Sequence, residues 1–133
     1  MSGNGIPGVA FDAPFDPNDS IIATDKQLFQ RPVTIASGQN LPKGRSIGFV
    51  TDTEDPASGK FVGSVKAATN GSKVIVGFLA EACDATGGDK QAMAVITGGV
   101  KLSKLTLGTG HTKDNAWLDL AGRGLFLYED AAV

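Results

Sequence analysis

The apolar positions of this chain fall in short separate runs, with no long helical stripe. The densest run spans residues 74–97. It reads Val74-Ile75-Val76-Gly77-Phe78-Leu79-Ala80-Glu81-Ala82-Cys83, then six small and acidic residues, then Lys90-Gln91-Ala92-Met93-Ala94-Val95-Ile96-Thr97. Apolar, β-branched segments on either side of Asp84-Ala85-Thr86-Gly87-Gly88-Asp89 predict strand, turn and strand. The near-continuous apolar character of 74–83 implies cover on both faces, and Val95 and Ile96 are placed to pair back against it. This stretch is the expected core.

Shorter strands are expected around it. Ile21-Ile22-Ala23-Thr24 is β-prone, Pro32 breaks the chain, and 33–36 alternates again. Residues 46–51 carry Ile47, Phe49 and Val50, and 61–67 place Phe61, Gly63, Val65 and Ala67 on one side. Asn70-Gly71 is a tight-turn dipeptide leading into Val74. Residues 100–107 alternate through Leu102, Leu105 and Leu107 and read as strand or short helix. Asp114 is the expected N-cap of a helix over 115–121 closed by Gly122, with Ala116, Trp117 and Leu120 inward. Residues 125–128 form a last strand. Strands every 10–15 residues or so indicate an all-β fold, mainly β with one short helix, built as a compact barrel or clip and not from βαβ units.

The first 20 residues or so have their own composition. Gly3, Gly5, Pro7, Gly8, Pro14 and Pro17 punctuate them, so the segment is expected to be extended or disordered. Ile6, Val9, Phe11 and Phe15 are more large apolar groups than a solvated arm wants. The arm either wraps its own domain or stays mobile until it docks on a partner. Twenty extended residues reach about 65–70 Å, beyond the radius of so small a domain, which favours docking. The expected organisation is an arm over 1–24 and a β-rich domain over 25–133.

Composition narrows the function. Glycine occurs 18 times, which suits turn-rich β structure and disfavours a helical bundle. The 133 residues carry a net charge of −2, with both signs interspersed, leaving no basic footprint for nucleic acid or a membrane surface. No apolar window reaches the length of a membrane span and no secretion signal opens the chain, so a protein made in the cytoplasm is expected. The lone cysteine, Cys83, excludes an internal disulfide framework and reads as a buried structural thiol.

Candidate chemistry is sparse. Nucleophile elbows, phosphate-binding loops and metal-ligand spacings do not occur. His111 lies in a Gly/Thr loop and reads as a solvated or capping residue. Asp52, Glu54 and Asp55 lack the ligand alternation of a calcium loop. Asp84 and Asp89 read as turn chemistry. The chain is therefore expected to need no cofactor or metal and to be no enzyme. Trp117, Phe126 and Tyr128 are the only aromatics close enough in sequence to serve a carbohydrate- or peptide-binding module, the alternative function, and they are expected mostly in the core.

The order and spacing of small and apolar residues carry a resemblance. Gly38-Gln39-Asn40-Leu41-Pro42-Lys43-Gly44-Arg45-Ser46-Ile47-Gly48, the run from Gly77 to Ala85, the 92–97 strand and the 116–127 ending are similar to tailed-phage head decoration proteins of the lambda protein D type. The resemblance spans residues 33–128. It implies a β-clip-like incomplete barrel, a homotrimer at the local three-fold positions of the expanded head, and an N-terminal arm that orders on the major capsid protein at the virion exterior. Ile6, Val9, Phe11, Phe15, Ile21, Ile22 and Thr24 are then the expected capsid-binding residues, with 21–24 laid on a strand edge of the capsid.

Overall fold

The computed structural model describes residues 21–128, and of 22–28 the backbone alone. Its elements are β1 (Ile22–Ile35), β2 (Asn40–Leu41), β3 (Ser46–Phe49), β4 (Phe61–Gly63), β5 (Gly77–Leu79), β6 (Cys83–Asp84), β7 (Lys90–Lys101), a 3-10 turn (Leu102–Lys104), α1 (Lys113–Leu120) and β8 (Leu125–Tyr128). The main sheet runs β1-β4-β3-β5-β7-β8, and β1 also pairs with β7. Five strands thus curl into a barrel, and β8 extends it from β7. Closure is partial, because β1 meets β4 only at Ile35 opposite Phe61. The expected all-β, incomplete-barrel fold with one short helix is what forms.

β7 organises the molecule. Along one edge it holds β1 antiparallel, from Ile22 opposite Val100 to Ile35 opposite Lys90. Along the other it takes β5, with Phe78 opposite Val95, and then β8 in parallel, with Gly98 opposite Leu125. The expected pairing of Val95 back onto the 74–83 run is therefore present. That run is not one strand, however. Beyond Leu79 the carboxylate of Glu81 accepts the Met93 N–H at 3.0 Å, and the chain leaves the sheet to pair Cys83 with Leu41 and Asp84 with Asn40. Pro32 does not break β1 either. It faces Met93 within a strand whose other edge is paired only at Ile35, where a missing N–H costs little.

Two hydrophobic clusters flank β7. Val33, Ile35, Leu41, Ile47, Leu79, Cys83, Ala85, Ala92 and Ala94 fill the barrel, with Phe61, Val76 and Ile96 packed against them. On the other face Ile21, Ile75, Phe78, Val95, Val100, Ala116, Leu120 and Leu125 form a second cluster beneath α1. Alternation sends Phe78 to one and Leu79 to the other, as strand geometry requires.

The helix begins two residues earlier than its sequence suggests. Thr112, not Asp114, is the N-cap: its hydroxyl accepts the Asn115 N–H and the Asn115 side chain returns a bond to the Thr112 N–H. The reciprocal pair satisfies two otherwise orphaned donors. Gly122 is not the closing residue, since Ala121 ends the helix in αR conformation and Gly124, at φ 79°, makes the left-handed turn into β8. Ala116 and Leu120 point inward, but Trp117 is 53% exposed, because two turns leave room for one i, i+4 pair against the cluster. β8 alternates likewise, with Leu125 buried and Phe126 and Tyr128 about half exposed. The expectation that these aromatics sit in the core is corrected. Of the 100–107 alternatives, β7 continues to Lys101 and a single 3-10 turn follows.

Candidate functional site

The expected capsid-binding set divides at residue 21. Ile6, Val9, Phe11 and Phe15 lie outside the described residues. Ile21 is only 2% exposed and sits in the cluster under α1, so its side chain is used inward by its own subunit. Ile22 lies opposite Val100 and Thr24 opposite Gly99, which gives the 22–24 backbone a strand partner within the chain. Ile21 also accepts the Lys101 N–H through its carbonyl, at 2.6 Å. Tyr128 lies opposite Lys101 on the other edge. Both terminal segments therefore join the body on either side of one residue, anchored by main-chain bonds.

A cleft of about 730 Å³ opens beside the barrel, lined by Phe49, Phe61, Val74, Val76 and Ile96 with Arg31, Thr51, Gly71, Gly122 and Arg123 around them. Phe61, Val76 and Ile96 are the outermost side chains of the barrel cluster, so the cleft floor is continuous with the core. Phe49 and Phe61 face each other across β3 and β4 with ring centroids 5.0 Å apart and edge-to-face, a favourable aromatic geometry. Phe49 keeps 36% of its surface exposed. Sequence reading missed this feature because its lining comes from six separate segments. The one local signal was Phe49 at the end of a strand, followed closely by Phe61.

Of the two expectations for His111, solvated or capping, the first fails: the residue is 9% exposed and sits inside a polar network at the helix start. The Ser64 hydroxyl donates to the Ser72 carbonyl at 2.7 Å, so its only proton is taken and His111 Nε2 donates to Ser64 Oγ at 2.9 Å. The Asn115 amide then donates to His111 Nδ1 at 2.8 Å. Asn115 Oδ1 in turn accepts the Thr112 N–H at 2.6 Å. The network assigns one neutral tautomer and ties the 64–72 loop to the helix start. Burial lowers the imidazole pKa from its ordinary value, against an opposing pull from Asp119 and the Asn115 bond, while Lys66 and Arg45 add to the lowering. Gly108 is required where this network closes, since a Cβ there would run into the Ser64 carbonyl.

The acidic residues behave as turn groups. Asp55 accepts from Asn70 and from the Ala57 N–H, and these bonds hold its carboxyl below the usual range. Asp84 caps Thr86. Asp89 pairs with Lys60 at 2.7 Å and accepts the Ser37 N–H, which likewise lowers its pKa. Among the described residues no three His, Cys, Asp or Glu side chains gather as a metal site. Cys83 is buried, and burial pushes its thiol pKa up, away from reactivity. No helix among the described residues is long and apolar enough to cross a membrane.

The described surface thus offers rooted termini, an apolar cleft and outward aromatics, which are means of binding. No curated protein matches the chain. The family model of bacteriophage lambda head decoration protein D matches residues 11–125, a span that begins within the N-terminal segment and ends on β8. The chain belongs to that family of structural, virion-associated phage head decoration proteins.

Proposed function

We propose that this protein is a capsid cement: a homotrimer seated at local three-fold positions of the expanded head, gripping the major capsid protein with its N-terminal arms and stabilising the shell. The observation that carries the reading is the rooting of the arm. Ile21 is buried, its carbonyl is bonded to Lys101, and β1 continues for 14 residues along β7. Tension on residues 1–20 is thereby delivered to the longest ladder of the fold. Ile6, Val9, Phe11 and Phe15 supply the apolar contacts on the capsid, and 21–24 form the root from which the arm departs.

Magnitudes favour three arms over one. Ordering the ten residues from Ile6 to Phe15 costs about 10–20 kcal/mol of backbone entropy. Burying four large apolar side chains returns about 1.5–3 kcal/mol each, so a single arm is at best marginal. Linking three makes later docking intramolecular and raises avidity by about 10²–10⁴. A ligand that binds only the assembled lattice then stabilises it by linkage. Self-association is supported by Trp117, Leu118, Phe126 and Tyr128, exposed by 53, 70, 48 and 49% on α1 and β8; such groupings mark interaction surfaces.

The decisive experiment removes residues 1–20, keeping Ile21 and the ladder. The shortened protein should elute as a trimer by light scattering and fail to co-sediment with expanded shells. Retained co-sedimentation refutes the arm mechanism. A second reading, a carbohydrate- or peptide-binding module, gains from the exposure of Trp117, Phe126 and Tyr128, though none of them lines the cleft. A monomer whose glycan or peptide binding is lost in Trp117→Ala would favour it.

A further inference from the structure

We infer that the trimer is closed by a knob and a socket: the outer face of α1 in one copy, carrying Asp114, Trp117 and Leu118, seats in the cleft beside the barrel of the next. This deepens the proposed function, on whose homotrimer it rests, by naming the two surfaces that meet. A closed ring of three needs two different patches on every copy, each answering the other on a neighbour. The described surface carries one apolar prominence and one apolar hollow. Trp117 and Leu118 are exposed by 53 and 70%. Asp114 precedes them by three and four residues, so the three side chains share one face of the helix. The hollow has Phe49, Phe61, Val76 and Ile96 on its apolar side and Arg31 and Arg123 around them.

The two surfaces match in charge as well as in polarity. An aromatic ring, a leucine and a carboxylate meet an apolar floor flanked by guanidinium groups, which stack on aromatic faces and pair with carboxylates. Asp114 and Arg31 are exposed and form no ion pair among the described residues, so neither is already spent within its own copy. The contact cannot form inside one molecule. Ala116 and Leu120 are buried in the cluster beneath α1. The Thr112–Asn115 box and His111 pin the first turn of the helix, and Gly122 and Arg123 just beyond its end already belong to the cleft wall. The helix is thus held with its outer face turned to solvent, unable to enter its own cleft. A helix laid in an apolar groove and anchored by a tryptophan is a recurrent mode of recognition.

The test is light scattering of the full-length protein across a dilution series, with the emission of Trp117, the single tryptophan of the chain, followed in parallel. Native trimers should cover the indole, move its emission to shorter wavelength, and lose that shift as they dissociate. Trp117→Ala/Leu118→Ser should weaken association about thirtyfold or more, as loss of a central aromatic anchor does. Arg31→Glu/Arg123→Glu should weaken it about tenfold or more, and so should Asp114→Arg. Combining these three charge reversals should restore most of the affinity and the emission shift. All five positions are exposed, so urea unfolding of the variants should stay native. A trimer that persists unchanged in the Trp117 or arginine variants overturns the inference. So does a native trimer whose indole emits as in the monomer, or a triple reversal no better than the arginine pair. Native protein that is not a trimer removes both the ring and its contact. Variants that stay trimeric, beside native protein that decorates expanded shells, sink this contact alone. A native ring that forms as described and ignores shells sinks the cement reading and leaves the contact standing.

Discussion

The two faces of β7 solve the same packing problem differently. Inside the barrel the cluster relies on small residues, Ala85, Ala92, Ala94 and Cys83, set among Val33, Ile35, Ile47 and Leu79. Beneath α1 it relies on larger ones, Phe78, Ile75, Leu120 and Leu125, and draws on both ends of the described chain through Ile21 and Leu125. The barrel side has little room for growth and depends on close strand approach. The helix side depends on a lid held in place by the Thr112–Asn115–His111–Ser64 chain of hydrogen bonds. One face is therefore sensitive to added volume, the other to lost volume and to whatever loosens its lid.

That contrast can be broken from either side. Phe78→Ala should cost about 3–5 kcal/mol in urea unfolding, because a wholly buried ring leaves a cavity within the cluster beneath α1. Ala94→Leu should cost about 1–3 kcal/mol by overpacking the barrel; a neutral result would show that the barrel interior is looser than its burial implies. Thr112→Ala should cost about 1 kcal/mol through the lost cap, and its near-ultraviolet signature should report Trp117 and not the barrel.

The smallest effect is expected from pH. The folded pKa of His111 lies below its ordinary value, so the unfolded chain takes up the proton first. The contribution of this group is then fully present above about pH 6.5 and is lost as pH falls through the depressed folded value. A second proton on the ring would sit on Nδ1, facing the Asn115 amide donor, and would turn that amide away from Thr112. Thermal unfolding between pH 7.5 and 5.5 should show this slope in the native protein and not in His111→Gln. An identical slope in both would remove His111 from the lid.

Local chemistry was a good guide wherever two or three neighbouring residues settle the outcome. Asn70-Gly71 bends the chain, with Gly71 at φ 98° and the Ser72 N–H donating to Asn70 Oδ1, although the strand that follows begins at Gly77 and not at Val74, and Leu125–Tyr128 is a strand. It failed where a distant partner decides. Pro32 is harmless because of what β1 lacks on its outer edge, and the 74–83 run is cut short because Glu81 supplies a bond to Met93 in place of a further strand rung. Trp117, Phe126 and Tyr128 face outward because Ala116, Leu120, Leu125 and Leu127 already fill the space below them. The cleft was invisible because Arg31, Phe49 and Arg123 share no local pattern.

The amino-acid order by itself determined the class of the fold and the distinct composition of the leader. Each of these follows from side-chain period, residue chemistry or proline content, which act over a few neighbours. Only the tertiary structure decided which apolar residues are spent inside, which reach solvent, and that both terminal segments join the body beside Lys101. Burial and strand register are settled by contacts between residues far apart in sequence, and no short window of the chain contains them.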